Sequence, residues 1–417
     1  MKPVLAGFNS SRRLTGLIEG ACVGISVGIG FSKEIDPAKA AKEASLQAQA
    51  QLKDIHVDLA VFLSTIHYDP AKTLPVVREV LKQTKLVGCS TAGIILSQSI
   101  ENRGVAVLAV QSSDVQFGVG SVTNVNSQDI HQAGTVLARN CIADFGQHRR
   151  QVFIFFPDGL IQNNSVFLKG VQEVLGSLFP IVGAGSCDDF HFKETFQFYQ
   201  NRVLKNSAVG LVMGGHMHVG VGIRHGWRPL GKPRQIDKVD GHVIRRIDQK
   251  RASSLYEEYF GEAVDNLRFS LLGQMSILYP LGIYMEGSNE YLLRNAVDIL
   301  PDGGIVCQGD VPEQSEVHIM IGGKDACKQA AYEAAQEAYE SLLGKEAKLV
   351  IVIESMSRLK LLGRMAIDEI YRIKEIFGGN VPIIGMYANG EICPFETVEK
   401  ITKPHVQNES IVILAIT

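Results

Sequence analysis

The stretch VGISVGIGFSKEIDPAKAAKEASLQAQAQL, residues 23 to 52, holds the first unit from which the rest of the chain is read. From Val23 to Phe31 the odd positions are apolar (Val23, Ile25, Val27, Ile29, Phe31) and the even ones are Gly24, Ser26, Gly28 and Gly30. That period of two predicts a half-buried strand. Asp36-Pro37 supplies an N-cap acceptor and a proline at the first helical position, so an Ala-rich helix is expected to about Leu52. Leu59 to Leu63 reads as a second strand, and Asp69-Pro70 opens a helix with Leu74, Val77 and Leu81 on one stripe. The strand Leu86-Val87, the turn Gly88-Cys89-Ser90-Thr91-Ala92-Gly93 and the strand Gly104 to Val110 complete the unit.

The same order returns near the C-terminus. Val317 to Ile321 is a strand, Asp325 caps an Ala-rich helix ending near Gly344, and Leu349 to Ile353 is a strand. A helix from about Leu362 to Phe377 leads to Pro382-Ile383-Ile384 and a turn at Gly385, and Ile411 to Ile416 closes the series. A partial copy lies between, with the strand Val152 to Phe156, a helix carrying Val171, Val174, Leu175 and Leu178, and the strand-turn Pro180 to Gly185. Units of this length imply parallel neighbours with right-handed crossovers, whereas Val105 to Val110 and Val115 to Val122 are close enough for an antiparallel hairpin. The fold class expected is therefore α/β (α+β mixed): two related halves by internal duplication, each a mixed sheet flanked by helices. Arg228 to Arg251, rich in charge, separates them, giving domains 23–250 and 251–417.

Composition narrows the function classes. At 417 residues, 46% hydrophobic and 20% charged, the chain buries a core with ease, and disorder is disfavoured. A net charge of −3 without a basic run argues against nucleic acid as partner. Seven scattered cysteines with no C-x-x-C pair fit a reducing compartment rather than a disulfide framework or structural zinc. Leu14 to Phe31 holds Glu19 and several glycines and falls short of a membrane span, so no membrane insertion and a cytoplasmic location are expected.

Several segments carry a family resemblance. Pro180 to Phe190 (PIVGAGSCDDF), His225-Gly-Trp-Arg-Pro-Leu-Gly231 and Gly88 to Gly93 resemble the N-terminal FIST domain. Tyr279-Pro-Leu-Gly282, Tyr291-Leu-Leu-Arg294 and Pro382 to Glu391 (PIIGMYANGE) resemble the C-terminal one. The resemblance covers roughly residues 23 to 417 and implies a sensory module in signal transduction that binds a small ligand such as an amino acid. It also implies a signalling partner, such as a histidine kinase or cyclase acting in trans, because the matching segments leave no stretch for an output domain. Ser355-Met356-Ser357-Arg358 departs from the family pattern, which more often has Cys and Gly before the Arg.

The candidate ligand residues follow from chemistry. Gly183 and Gly185 let backbone N–H groups approach a ligand, and Ser186, Asp188 and Asp189 offer polar anchors at a strand end; a tight connection needing glycine is the structural alternative. His225 and Trp227 sit at a strand exit, where the indole lines a pocket or packs in the core. Arg294 is suited to clamp a carboxylate and Glu391 to receive an amine, unless each is a surface ion pair. Cys187, with no oriented base evident, reads as a small buried hydrophobe. His216 and His218, two apart, would share one side of a strand and, with His225, could offer ligands to a metal or haem iron; the resemblance implies the alternative function, a haem-binding nitric-oxide sensor, since the family includes such a subset. No catalytic constellation emerges, so no enzyme and no required cofactor or metal are expected.

Overall fold

The computed structural model describes residues 24–53, 55–161, 163–261, 278–285, 290–396 and 402–417. The sequence segment Leu14 to Val23, with Cys22, lies outside them. The unit quoted first folds as β1 (Ile25–Ser32), α1 (Pro37–Ala50), β2 (Leu59–Thr65), α2 (Pro70–Leu81), β3 (Lys85–Thr91) and β4 (Val105–Ser112). Asp36 and Asp69 cap the two helices by accepting from Lys39 N and Ala71 N. The strands pair in the order β1-β4-β2-β3, with only β2 and β3 parallel.

This unit occurs three times. The middle copy is whole: β5 (Val115–Thr123), α3 (Ile130–Phe145), β6 (Arg150–Pro157), α4 (Asn164–Leu175), β7 (Ile181–Gly185) and β8 (Ser207–Gly215), paired β5-β8-β6-β7. The last is β9 (Val219–Arg224), α5 (Lys324–Glu340), β10 (Leu349–Ser355), α6 (Ile367–Phe377), β11 (Ile383–Glu396) and β12 (Ile411–Ile416), paired β9-β12-β10-β11. Registers coincide: Gly88 lies opposite Phe62, Gly183 opposite Phe155 and Gly385 opposite Val352, each across the parallel pair. A β-carbon there would meet the neighbouring strand's carbonyl oxygen at 1.8, 2.1 and 2.2 Å, so bare backbone is required at this point of every copy. The Gly-x-Gly pattern of the first strand repeats too, as Gly28/Gly30, Gly118/Gly120 and Gly220/Gly222, and lets α1, α3 and α5 lie directly on the sheet.

The helix-free faces of the copies meet in one apolar core that includes Leu63, Leu108, Phe156, Leu211, Ile353 and Met386. Each opposite face is covered by its own two helices. β11 pairs with β7 and so joins the second and third copies in an eleven-stranded sheet, and Gly93–Leu96 from the first copy adds to β11 as well.

Between β9 and α5 the third copy carries an insertion, an eight-stranded sheet drawn from residues 227–322. Trp227 pairs with Gly322, so the inserted sheet leaves and re-enters the repeat at one place. Several sequence expectations change accordingly. Val317 to Ile321 is a strand (Glu316–Gly322), but of the inserted sheet; the first strand of the third copy is β9. Gly323, not Asp325, caps α5, and Asp325 lies in its first turn. The charged stretch from Arg228 forms a hairpin, Trp227–Asp240 with Val243–Ile247, because Ile236, Ile244 and Ile247 are buried between its charges. The hairpin expected of β4 and β5 does not form: β4 is hydrogen-bonded on both sides by β1 and β2, and β5 pairs with β8. The helix expected from about Leu362 to Phe377 starts as a 3₁₀ turn, Gly363–Ala366, and continues as α6, with a separate short helix, Met356–Leu362, before it. Among the described residues no helix is long and apolar enough to cross a membrane.

Candidate functional site

The turn from Gly183 to Asp189 stands where the three copies converge. Cys187 Sγ accepts from Ala92 N (3.1 Å) of the first copy and donates to Tyr387 O (3.0 Å) of the third. Burial pushes its thiol up to about 12, so at neutral pH it is a packed, protonated thiol. Ser186 is fully buried and accepts from Gln197 Nε2 at 2.7 Å. Asp188 uses both carboxylate oxygens to hold the next loop, accepting from Phe192 N (2.9 Å), Lys193 N (2.7 Å) and Glu194 N (2.9 Å). Asp189 and Phe190 pass through the left-handed region (φ 53° and 62°). Gly183 and Gly185 pair with Ile392 and Asn389 of β11. Backbone pairing at Gly183 and Gly185 and the Cys187 thiol thus tie the copies together, while Ser186 and Asp188 hold the loop that follows them in the same copy.

Behind the ends of β10 and β11 lies a polar core built on Arg358, in which Arg358, Glu354, Glu369, Glu391 and Glu409 have no exposed surface. Arg358 donates to the carbonyls of His225, Cys327 and Glu409 and to Glu369. Burial disfavours its charge, yet Glu369, Cys327 and Glu354 outweigh that and raise its pKa. Four carboxyls around one guanidinium do not all ionise. Burial, reinforced by the Glu369 charge, holds Glu354 well above the carboxylate range, within hydrogen-bond reach of Glu369. Burial likewise lifts Glu409 well above it and Glu391 to about 8, although Ser410 N and Oγ, at 3.0 and 2.8 Å, favour the Glu391 anion. His225 belongs to the rim of this core: its Nδ1 accepts from Trp227 N (2.9 Å) and its Nε2 lies 2.7 Å from Glu290. Trp227 packs against Leu293, Met320 and Cys327.

Arg294 stands apart from Glu391. It lines a cleft of about 280 Å³ between the inserted sheet (Leu292, Asp310, Val311), α4 (Ser165, Leu168, Lys169, Gln172) and the strand Thr402–Gln407 (Lys403, His405, Val406). Arg294 as a residue is 2% exposed, and its guanidinium is fixed by three carbonyls: Nε donates to Asp310 O (2.8 Å) and Nη1 to Leu293 O (2.8 Å) and Val406 O (3.0 Å). Nη2 has no hydrogen bond, and no carboxylate comes within 4 Å of Arg294, among the described residues. Burial accordingly pulls its pKa down to about 10. Asp310, the one carboxylate lining the cleft among the described residues, is held by Lys169 Nζ (2.5 Å) and Asn163 Nδ2 (3.0 Å), which outweigh burial and lower its pKa. His405 is driven down to about 4 by burial and by Arg294 and Lys403, and is neutral.

The structure thus separates the residues read as one site. Glu391 faces Ser410 in the Arg358 core, while Arg294 faces the cleft across Val406. His216 and His218 are exposed in the connection before β9 rather than on a strand, and both ring nitrogens of His225 are engaged. Among the described residues no three His, Cys, Asp or Glu side chains are grouped to hold a metal ion. Lys169, Asp310, Lys403 and His405 went unread in the sequence because α4, the inserted sheet and the penultimate strand converge only in three dimensions. Glu354 and Glu409 had a signal: Glu354 directly follows the five-residue apolar run LVIVI, and Glu409 stands one residue, Ser410, before the six-residue run IVILAI.

Comparison with known proteins places the chain. The FIST N domain matches residues 58–250 and the FIST C domain residues 252–394. An uncharacterized protein of Mycobacterium tuberculosis is 25% identical over 375 residues, covering 88% of this chain and 94% of that protein. An uncharacterized protein of Methanocaldococcus jannaschii is 28% identical over 256 residues, 56% of this chain and 48% of its own length. The crystal structure of cyanuric acid hydrolase from A. caulinodans aligns over 94% of this chain and 99% of its own, at a TM-score of 0.36 and 7% identity, a likeness too slight to carry an activity across.

Proposed function

The chain belongs to the FIST family, with N and C domains in tandem, and from that premise we propose that it is a ligand-binding sensory module, not an enzyme, that takes a small metabolite of amino-acid size in the Arg294 cleft. The observation that carries this reading is the composition of the cleft wall. α4 lies in the stretch matched by FIST N, while Leu292, Arg294 and Asp310 lie in the stretch matched by FIST C. A ligand filling the cleft therefore touches both and alters how the inserted sheet sits on the second copy. That differential contact is what a separate signalling protein would read. Polar side chains such as Lys169, Gln172 and Arg294 share the wall with apolar ones such as Leu168, Leu292 and Val406, which suits a ligand with one polar end and a hydrocarbon part.

The test is a thermal-shift screen of amino acids, organic acids and related metabolites on the full chain. A ligand at 100 times its Kd stabilises the folded state by about 2.7 kcal/mol. A hit whose shift disappears in Lys169→Ala, with unliganded melting unchanged, supports the reading. The absence of any hit, or a hit indifferent to every cleft variant, removes it.

A further inference from the structure

We infer that the cleft is built for a small aliphatic carboxylate without an ammonium group, rather than for a zwitterionic amino acid; this rests on the cleft being the ligand site. Arg294 reaches the cleft already oriented by three backbone carbonyls at 2.8 to 3.0 Å, so a ligand oxygen at Nη2 meets a donor with little side-chain entropy left to lose. Gly309, at φ 112°, allows the chain to pass so closely that a β-carbon would stand 3.2 Å from both Arg294 Cζ and Ser165 Oγ. Arg294 is buried with no carboxylate within 4 Å among the described residues, Asp310 acting on it only at longer range, an arrangement that costs free energy until an anion supplies a partner in contact. Lys169 and Lys403 add positive charge at the same cleft.

An ammonium finds no such welcome. Asp310 is the one carboxylate in the lining among the described residues, and Lys169 and Asn163 already occupy both of its oxygens. Glu391, the residue suited by its chemistry to receive an amine, is turned to Ser410 instead. Leu168, Leu292, Val311 and Val406 offer the rest of a ligand only apolar surface. The acid end meets a guanidinium and two lysines, whereas the amine end meets only one carboxylate among the described residues, Asp310, and that one is already bound.

Calorimetry on the full chain with pentanoate, norvaline and pentylamine tests this directly, since the three differ only in their charged groups. Pentanoate is expected to bind at least tenfold more tightly than norvaline, and pentylamine not at all. Arg294→Gln should weaken pentanoate at least tenfold, Arg294→Lys less, and the exposed Lys403→Glu severalfold without touching the buried lining, which covers the event that Arg294→Gln fails to fold. Norvaline binding as tightly as pentanoate, or pentanoate indifferent to both Arg294 and Lys403, overturns the inference. A screen hit that depends on Lys169 but carries no acid group also overturns it while leaving the sensory reading in place; no hit of any kind removes both.

Discussion

Arg358 and the carboxyls around it show what a buried charge demands of a protein. With one guanidinium and four acids sealed from water, Glu354, Glu391 and Glu409 are driven toward their neutral forms, and the stability of the chain becomes linked to pH. For Glu391 the sign follows from its raised pKa. Below the ordinary value of 4.5 both folded and unfolded chains hold the proton; between 4.5 and about 8 the unfolded chain releases it and the folded chain does not, so stability declines as pH climbs and the decline ends near 8. Melting temperature is therefore predicted to fall from pH 5 to pH 8, and Glu391→Gln, which keeps an acceptor for Ser410, to flatten that slope in a pH series of thermal melts. An unchanged slope would mean that Glu391 is ionised in the fold. Arg358→Met should cost about 3 to 5 kcal/mol in urea unfolding because it strands Glu369, and Arg358→Met with Glu369→Leu should recover much of the loss. Neither carboxyl cluster nor cleft was readable as such: the apolar runs beside Glu354 and Glu409 hint that each is buried, but Glu354, Glu369, Glu391 and Glu409 are separated by up to 55 positions and nothing local brings them to one guanidinium.

At the level of the element, the paired glycines of β1, β5 and β9 decide how closely a helix sits on its sheet. Gly30 and Gly222 face the carbonyl oxygens of Ala44 and Ala334, where a β-carbon would intrude to 1.8 and 2.0 Å. Gly30→Ala and Gly222→Ala are each predicted to destabilise by about 3 kcal/mol, at the upper end for an overpacked core, whereas Gly24→Ala, with nothing within 4 Å, should be neutral. Urea midpoints of the three variants check this; equal midpoints would show that α1 and α5 shift aside freely. These elements were legible because local physics wrote them: the alternation from Ile25 to Phe31, the Asp36-Pro37 cap and the alanines of α1 all act within a few residues. The β4–β5 hairpin was misread for the opposite reason. Proximity in sequence favours a hairpin, but β4 gains hydrogen bonds on both edges by lying between β1 and β2.

For the molecule as a whole, three copies of one unit share an apolar centre, and the third has accepted a sheet of its own between β9 and α5. The mixed α/β class with helix-flanked sheets and the recurrence were legible in the order of elements. The insertion was not, because Val317 to Ile321 followed by an Ala-rich helix imitates β1 followed by α1, and only pairing reveals that β9, nearly a hundred residues earlier, fills that place. The consequence for function is geometric: the inserted sheet is held to the repeats at Trp227 and Gly322 and faces α4 across the Arg294 cleft. The measurement that tests this account most directly is a crystal structure of the full chain grown with pentanoate, or with the tightest acid from the screen. The account predicts the carboxylate on Arg294 Nη2, with its hydrocarbon against Leu168, Leu292 and Val406. A ligand bound anywhere else, or in the cleft with its acid group turned away from Arg294, would contradict it.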